Sequence, residues 1–194
     1  MTLIKNISGF RGTVGGPPKE NLTPFDIVTS VSAFCKFLKE KYNTKELIVT
    51  TGRDGRASGE NFHTIVNRTI SLMGIDVIDA GLSTTPTLCW GVLTNKSNGG
   101  IMITASHNPE EYNGLKFFNE DGEFLSREDM NKVIEYSNTT DFEYQNTMNL
   151  GSIKTYKNLI EDHVDEILKL DIIPVEKIRS MDIKIVVDGI NSGG

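Results

Sequence analysis

The stretch from residue 99 to residue 109 constrains the fold of this chain more than any other. Its central residues 101–104 are apolar or β-branched, a glycine pair precedes them, and Asn-Pro follows closely. A run of this kind between turn residues predicts a short buried strand that ends in a turn. We therefore expect Ser106 to be exposed at the C-terminal end of a strand.

The residues that follow predict a second strand close to the first. The Asn-Gly pair at 113–114 is typical of a tight turn, and residues 115–118 form an apolar run broken by one lysine. The short connection would hold Ser106, His107 and Lys116 at one edge of a sheet. A hydroxyl, an imidazole and an ammonium group would then share a small volume.

Each of these side chains also has a simpler interpretation. Ser106 could be a turn serine that caps its neighbours, His107 a loop histidine without a function, and Lys116 a solvated charge at a strand end. The combination favours a functional interpretation, because Thr-Ala-Ser-His-Asn-Pro is followed closely by Asn-Gly-x-Lys.

Elsewhere the chain alternates between helices and strands. Helices are predicted after the Thr23 cap and Pro24, over residues 61–73, over residues 87–94 and after the Ser126 cap. In the third of these helices, Leu93 is expected to pack inward. Strands are predicted over residues 46–51 and 76–80. This alternation indicates a layered α/β/α domain with a mixed sheet. Ligands of such sheets bind at the C-terminal ends of strands, where Ser106 is expected.

Two glycine-rich loops carry arginines that could bind an anion. Residues 7–18 are too rich in glycine for a helix or an uninterrupted strand, so Arg11 is expected on a loop that approaches a ligand closely. Residues 52–59 connect a predicted strand to a helix, where Arg53 and backbone amides would face an anion. The alternatives are a surface charge at Arg11 and a structural salt-bridge corner around Arg53.

Composition and charge exclude several classes of partner. The chain has 194 residues and a formal net charge of −6, whereas binding to nucleic acid or to an anionic membrane needs a dense basic face. No apolar run is long enough to span a membrane, and the N-terminus lacks the pattern of a signal peptide, so a cytoplasmic location is expected. Cys35 and Cys89 are expected to be buried, reduced thiols.

The C-terminal part of the sequence predicts a boundary and the beginning of another unit. A polar segment rich in Asn and Thr precedes an amphipathic helix over residues 156–168. Residues 183–187 predict a buried strand, and residues 188–194 predict the turn that opens a helix. We expect a first domain over residues 1–150 and, over residues 151–194, a linker helix and the truncated start of a second, similar domain.

Residues 104–109 resemble the active-site serine loop of the α-D-phosphohexomutase family, which includes phosphoglucomutase, phosphomannomutase and phosphoglucosamine mutase. Further motifs extend the resemblance along the chain, namely Ser-Gly-x-Arg-Gly at 8–12, Gly-x-x-x-Thr-Pro at 81–86 and Val-Asp-Gly-x-Asn-x-x-Gly at 187–194. The last motif is similar to the opening of the family's second domain. The chain is therefore expected to be the N-terminal part of a longer mutase.

The resemblance implies a reaction and a set of roles. Family members interconvert hexose 6-phosphate and hexose 1-phosphate through a phosphoserine, with a hexose 1,6-bisphosphate as intermediate and Mg²⁺ bound to a phosphoserine oxygen. By this resemblance Ser106 would be the phosphoryl donor and, through its phosphate, a metal ligand. Lys116 would exchange a proton with the sugar hydroxyl, Arg11 would neutralise phosphoryl charge, and His107 would position the reacting oxygens. The residues expected near the phosphate or the substrate are Arg53, Asn108 and Asn113.

The sequence also departs from the family. The family's metal loop, with three closely spaced aspartates, has no match in the chain, and neither do its sugar-recognition loop and its later phosphate-binding loop. The other Mg²⁺ ligands and the choice of hexose phosphate would belong to the remaining domains of the same enzyme, so this chain alone is expected to be inactive. The alternatives are a non-catalytic phosphosugar-binding module and, less favoured because no Gly-x-Ser-x-Gly motif is present, a serine hydrolase.

Overall fold

The computed structural model describes residues 1–44 and 46–193, which form a mixed seven-stranded sheet covered by helices. The strands are β1 (Ile4–Asn6), β2 (Gly9–Thr13), β3 (Ile48–Arg53), β4 (Asp76–Leu82), β5 (Gly99–Ile103), β6 (Tyr112–Phe118) and β7 (Ile153–Thr155). The helices are α1 (Pro24–Tyr42), α2 (Gly59–Leu72), α3 (Thr85–Thr94), α4 (Arg127–Tyr136), α5 (Leu159–Leu168) and α6 (Val175–Arg179), with a 3-10 turn at Thr147–Asn149.

The strand order is β1-β2-β6-β5-β3-β4-β7. Strands β5, β3, β4 and β7 run parallel to one another, whereas β6 is antiparallel to β5 and to β2. Parallel neighbours need crossover connections, which α2 and α3 supply, while the short link between β5 and β6 allows only an antiparallel pair. The mixed sheet predicted from the sequence is confirmed.

Helices cover both faces of the sheet. Neighbouring residues of β5 point to opposite faces, so Ile101 belongs to the larger core, with α1, α2 and α4, whereas Met102 belongs to the smaller core, with α3 and α5. Both side chains are almost completely buried, and each contributes roughly 1.5–3 kcal/mol to the free energy of unfolding. The layered α/β/α class is therefore confirmed.

Local signals determine where the helices begin. Thr23 and Asp26 form a reciprocal capping box before α1, with Pro24 in the first helical position. Ser126 caps α4 by accepting a hydrogen bond from Asp129. Helix α3 begins at Thr85, two residues before the prediction, because the Thr84 side chain caps it.

Some local predictions are wrong. Arg11 lies on strand β2 and not on a loop, because the glycines at positions 9 and 12 allow the neighbouring backbones to approach closely. The Asn-Gly pair at 113–114 forms no tight turn and lies inside β6 instead. A Cβ atom on Gly114 would lie 2.5 Å from the carbonyl oxygen of Phe10, so the glycine allows the close approach of β2 rather than a reversal of the chain. The inward packing predicted for Leu93 is also wrong, because its side chain is 52% exposed and only other positions of α3 face the core.

The chain beyond residue 150 first extends the same sheet. Strand β7 pairs with β4, and α5 packs against α3, where Leu159 lies over Gly91. The division of the chain at residue 150 stays a prediction. Packing continues across it through β7 and α5.

The strand predicted over residues 183–187 is not formed. These residues have no ladder partner among the described residues, and Val186 is 98% exposed. A strand is stabilised only by neighbours that accept and donate its backbone hydrogen bonds, which explains the difference. Residues 188–193 include a turn whose Ser192 hydroxyl accepts a hydrogen bond from the Gly55 amide, and Gly194 lies outside the described residues.

In the described part of the chain, the helices are all too short or too polar to cross a membrane.

Candidate active site

Ser106 lies in the loop that follows β5, at the C-terminal edge of the sheet. Its side chain is exposed, and its backbone has a φ angle of 56°, in the left-handed region that residues with a Cβ atom rarely adopt. The Ser106 amide donates a hydrogen bond of 2.9 Å to Oγ1 of Thr104, and the Thr104 hydroxyl donates one of 2.6 Å to Oδ2 of Asp54. The loop after β3 therefore supports the serine loop.

Strand pairing brings the predicted charges to Ser106. Arg11 of β2 lies opposite Gly114 of β6, and Lys116 follows two residues later on the same face of β6. Lys116 also lies opposite Met102 of β5, so the two side chains share one face of the sheet, and Lys116 lines the same cavity as Ser106. Strand β6, between β2 and β5, is thus the element that unites the cluster.

Arg11, Ser106, His107 and Lys116 line one cavity of about 140 Å³. The rest of its wall is formed by neutral groups from the β1–β2 hairpin, the serine loop and β6, namely Asn6, Ser8, Gly9, Phe10, Thr104, Ala105 and Leu115. Among the described residues no carboxylate lines the cavity, while two of its walls carry a cation. The cavity is smaller than the usual site for a whole ligand and suits a small anionic group such as a phosphate.

The cationic side chains have few partners that would compete with a ligand. Nη1 of Arg11, which is exposed, lies 3.4 Å from Oδ1 of Asn108. Nζ of Lys116 lies 5.9 Å from the centre of the Phe124 ring, at the outer limit of a cation–π contact. Both cations are therefore available to an anion in the cavity.

The geometry around Ser106 does not form a hydrolase triad. Oγ of Ser106 lies 3.5 Å from Nδ1 of His107, which is longer than an ordinary hydrogen bond. Within the described part of the chain, no side chain orients His107 from the other side by a hydrogen bond. A nucleophilic serine of the triad type needs a base that is itself oriented by a third group.

Asn108 contacts Arg11 but does not line the cavity, and the other two predicted neighbours also lie outside it. Arg53 donates from Nη1 to the carbonyl oxygen of Asp54 at 3.2 Å, and its Nη2 atom lies 3.9 Å from a carboxylate oxygen of Glu60. Asn113 is buried and donates to Oγ of Ser58 at 2.8 Å. The Arg53 side chain faces the beginning of α2, and Asn113 holds β6 to that same region.

Arg56 is the residue of this region that the sequence analysis did not single out. Its guanidinium donates to four carbonyl oxygens of the serine loop, those of Ser106, Asn108, Pro109 and Tyr112, at 2.7–2.9 Å. The sequence shows two arginines close together, Arg53 at the end of β3 and Arg56 in the loop after it, but their spacing does not reveal which one reaches Ser106. The Arg-Asp-Gly-Arg motif indicated that an arginine could act in this region, but only the path of the loop in the structure distinguishes its two arginines.

The residues present do not by themselves fit a magnesium ion. The cavity wall described above holds no carboxylate, and no group of three or more His, Cys, Asp or Glu side chains within residues 1–44 and 46–193 is arranged to hold a metal. Asp54, the carboxylate near the loop, is already occupied by Thr104 and Arg56. Mg²⁺ prefers several oxygen ligands in octahedral geometry, which this cavity does not offer.

Comparisons with known proteins give one consistent result. Residues 3–144 match the family model described as "Phosphoglucomutase/phosphomannomutase, alpha/beta/alpha domain I". The chain is 34% identical, over its whole length, to a phosphoglucosamine/phosphogalactosamine mutase of Sulfurisphaera tokodaii, and 33% identical, over 94% of its length, to a phosphoglucomutase/phosphomannomutase of Thermococcus kodakarensis. It spans 40% of the length of each of these curated relatives.

A solved structure supports the same fold. A candidate phosphomannomutase from Thermus thermophilus superposes with a TM-score of 0.71 at 26% identity, covering 89% of this chain and 37% of that one. The seven-stranded layered domain described above is therefore shared with proteins that are more than twice as long.

Proposed function

The chain belongs to the phosphoglucomutase/phosphomannomutase family, and from that membership we propose that it is the phosphoserine-bearing part of a phosphohexomutase. The protein that carries it would interconvert hexose 6-phosphate and hexose 1-phosphate. The observation that supports the proposal most strongly is the cavity in which Ser106, Arg11 and Lys116 meet with no carboxylate among the described residues of its wall.

In the proposed reaction, the phosphate on Oγ of Ser106 passes to the free hydroxyl of a hexose monophosphate. The bond between phosphorus and the serine oxygen breaks, a bond to the sugar oxygen forms, and a hexose 1,6-bisphosphate results. After the bisphosphate reorients, its other phosphate returns to Oγ of Ser106 and the isomeric monophosphate leaves. Phosphoserine is therefore regenerated in each cycle.

The residues of this chain would contribute charge and position. Arg11 would neutralise the equatorial phosphoryl oxygens as the transfer proceeds, because positioning and electrostatics carry most of the catalysis in phosphoryl transfer. Lys116 would exchange a proton with the accepting sugar hydroxyl. His107, 3.5 Å from Oγ of Ser106, would help to orient that oxygen.

The remaining parts of the proposal concern groups outside the cavity. A Mg²⁺ ion bound to a phosphoserine oxygen would supply further positive charge, with its other ligands from the remaining domains of the enzyme. The substrate would be a phosphoglucosamine, a phosphomannose or a phosphoglucose. We further propose that residues 1–150 form domain I, that residues 151–194 lead into domain II, that this chain alone is inactive, and that the enzyme works in the cytoplasm.

The experiment that tests the proposal uses the complete protein that carries this chain: its intact mass is measured before and after phosphatase treatment, and the phosphate is then localised by peptide mapping. We expect one phosphate on Ser106, and an increase in its occupancy after incubation with glucose 1,6-bisphosphate. The Ser106→Ala variant is the matched control and should stay unmodified.

The same measurement separates the proposal from its alternative. Binding of hexose phosphates without any phosphate on Ser106, before or after the bisphosphate is added, would favour a non-catalytic phosphosugar-binding module. Absence of transfer on every hexose monophosphate by the complete protein would refute the enzymatic proposal.

A further inference from the structure

Arg56 contacts the serine loop in a way that the proposed reaction does not yet use. Its Nη2 atom donates to the carbonyl oxygens of Ser106 and Asn108, both at 2.8 Å. Its Nη1 atom donates to those of Pro109 and Tyr112, at 2.7 and 2.9 Å. The Arg56 side chain is only 12% exposed. One buried guanidinium thus satisfies carbonyl groups along the whole turn between β5 and β6.

We propose that Arg56, together with Asp54, is a positioning residue that holds Ser106 in its left-handed conformation and presents Oγ of Ser106 to the cavity. The effect on phosphoryl transfer rests on the proposed function. The effect on the loop itself does not.

The two residues hold Ser106 from both of its peptide groups. On one side, the Ser106 amide donates to Thr104, whose hydroxyl donates to Asp54. On the other side, the Ser106 carbonyl oxygen accepts from Arg56. The two peptide planes flanking a residue define its backbone angles, so these contacts together oppose relaxation of the φ angle of 56°.

Asp54 and Arg56 also hold each other. Nε of Arg56 lies 3.3 Å from Oδ2 of Asp54, and the Arg56 amide donates to Oδ1 of the same carboxylate at 3.2 Å. The carboxylate compensates the buried positive charge, while the four carbonyl oxygens use the donors of the two terminal nitrogens. The pair is therefore a rigid connection between the loop after β3 and the loop after β5.

The chemistry of the site requires arginine at this position. Four carbonyl dipoles that converge from one turn repel one another unless a cation with several fixed donors lies between them. The planar guanidinium has five donors in a fixed fork, whereas a lysine ammonium has three on a compact group that cannot lie near all four oxygens. Lysine should consequently replace Arg56 only in part.

One consequence concerns the phosphate itself. The Ser106 amide is committed to Thr104 and cannot also donate to a phosphoryl oxygen. Stabilisation of the phosphoryl charge is thereby left to Arg11 and Lys116, while Arg56 acts on the loop through its backbone.

The first test uses the complete protein and measures the phosphorylation of Ser106 by glucose 1,6-bisphosphate, with intact mass as the readout, over a range of donor concentrations. For Arg56→Met we expect the maximum rate constant to fall about 100-fold, as for a reacting atom misplaced by about 1 Å, with a half-saturating donor concentration close to that of the wild type. Arg56→Lys should recover part of the rate, and methylguanidinium added to Arg56→Met should recover some as well. The matched control is Arg68→Met, which removes an exposed arginine of α2 and should react like the wild type.

The second test measures hydrogen exchange and needs no phosphoryl transfer. The amides of Asn108 and Tyr112 donate within the loop, to the carbonyl oxygens of Ala105 and Pro109. In Arg56→Met we expect both to exchange at least about tenfold faster, as for a locally opened loop, while amides within β5 keep their protection. Arg68→Met should change neither.

The outcomes separate the two proposals. If the wild type takes up no phosphate but Arg56→Met loosens the loop, the proposed function fails and the positioning role of Arg56 stands. A saturating rate constant in Arg56→Met equal to that of the wild type, or unchanged exchange at Asn108 and Tyr112, would overturn the positioning role.

Discussion

Nη1 of Arg11 lies 3.4 Å from Oδ1 of Asn108, a contact that spans 97 residues of sequence and joins the N-terminal hairpin to the serine loop. Arg53, in contrast, faces Asp54 and Glu60. Two arginines that the sequence presents as equivalent candidates for an anion site therefore differ in the structure, and they can be compared experimentally.

The Arg11→Gln variant is expected to bind inorganic phosphate at least about tenfold more weakly than the wild type, because a hydrogen bond to a charged group contributes about 1.5–3 kcal/mol. Phosphorus NMR titration of the protein measures the dissociation constant. Arg53→Gln is the matched control and should bind phosphate as the wild type does, since Arg53 does not line the cavity. Equal weakening in both variants would show that the phosphate binds elsewhere.

Gly114→Ala is expected to destabilise the protein by about 3 kcal/mol, at the upper end of the range for added volume in a tightly packed region. The new Cβ atom would lie 2.5 Å from the carbonyl oxygen of Phe10, a backbone atom of β2 that cannot move aside without breaking the sheet. Urea unfolding measures the free energy of unfolding.

Gly81→Ala provides the comparison for Gly114→Ala. Gly81 has a φ angle of 61° but open space around its Cα atom, so alanine there should cost only about 1 kcal/mol, the penalty of the left-handed backbone. A smaller loss in Gly114→Ala than in Gly81→Ala would contradict the steric explanation.

His63 is expected to make the protein less stable in mild acid. Burial lowers the pKa of His63, the nearby Asp79 carboxylate opposes that shift, and Arg53 adds to it. The Thr51 hydroxyl donates its hydrogen to Asn67, so the Thr51 oxygen can only accept a hydrogen bond from His63. The donor is Nε2 of His63, 3.1 Å away, which carries the hydrogen of the neutral ring. The folded protein thus favours the uncharged imidazole.

The sign of the pH effect follows from proton binding. In the unfolded chain the histidine has a pKa of about 6.5, so below that pH it binds a proton that the folded protein does not bind. The free energy of unfolding therefore falls as the pH decreases toward the pKa of His63 in the folded protein. In urea unfolding over the range of about pH 7.5 to 5, the stability advantage of the wild type over His63→Gln should shrink as the pH falls. An advantage that stays constant would exclude His63 as the source of the pH dependence.

The two thiols are expected to differ in reactivity. Cys35 is fully buried, and burial raises its pKa to about 12, so little thiolate forms at neutral pH. Cys89 is only partly buried, although burial raises its pKa as well. A disulfide reagent should label Cys89 slowly in the native protein and Cys35 only after unfolding, so Cys89→Ser should remove the native labelling. Rapid labelling of Cys35 in that variant would contradict the packing of α1.

The sequence predicted those features that depend on short-range chemistry. The strand before Ser106, the cap of α1 at Thr23 and the cap of α4 at Ser126 follow from residues within a few positions of each other. The Asn-Gly pair at 113–114 misled the prediction because glycine permits both a tight turn and the close approach of another backbone. Which of these applies depends on Phe10, in a strand that is distant in sequence but pairs with β6.

By itself, the sequence determined the residue types of the candidate site and the loop in which Ser106 lies, because a buried strand punctuated by turn residues has few alternatives. Only the tertiary structure decided that β2 pairs with β6, which brings Arg11 to Ser106 and Lys116. It also decided that Arg56, and not Arg53, reaches the serine loop. Strand order and loop contacts result from packing between distant segments, so the spacing of residues along one segment does not predict them.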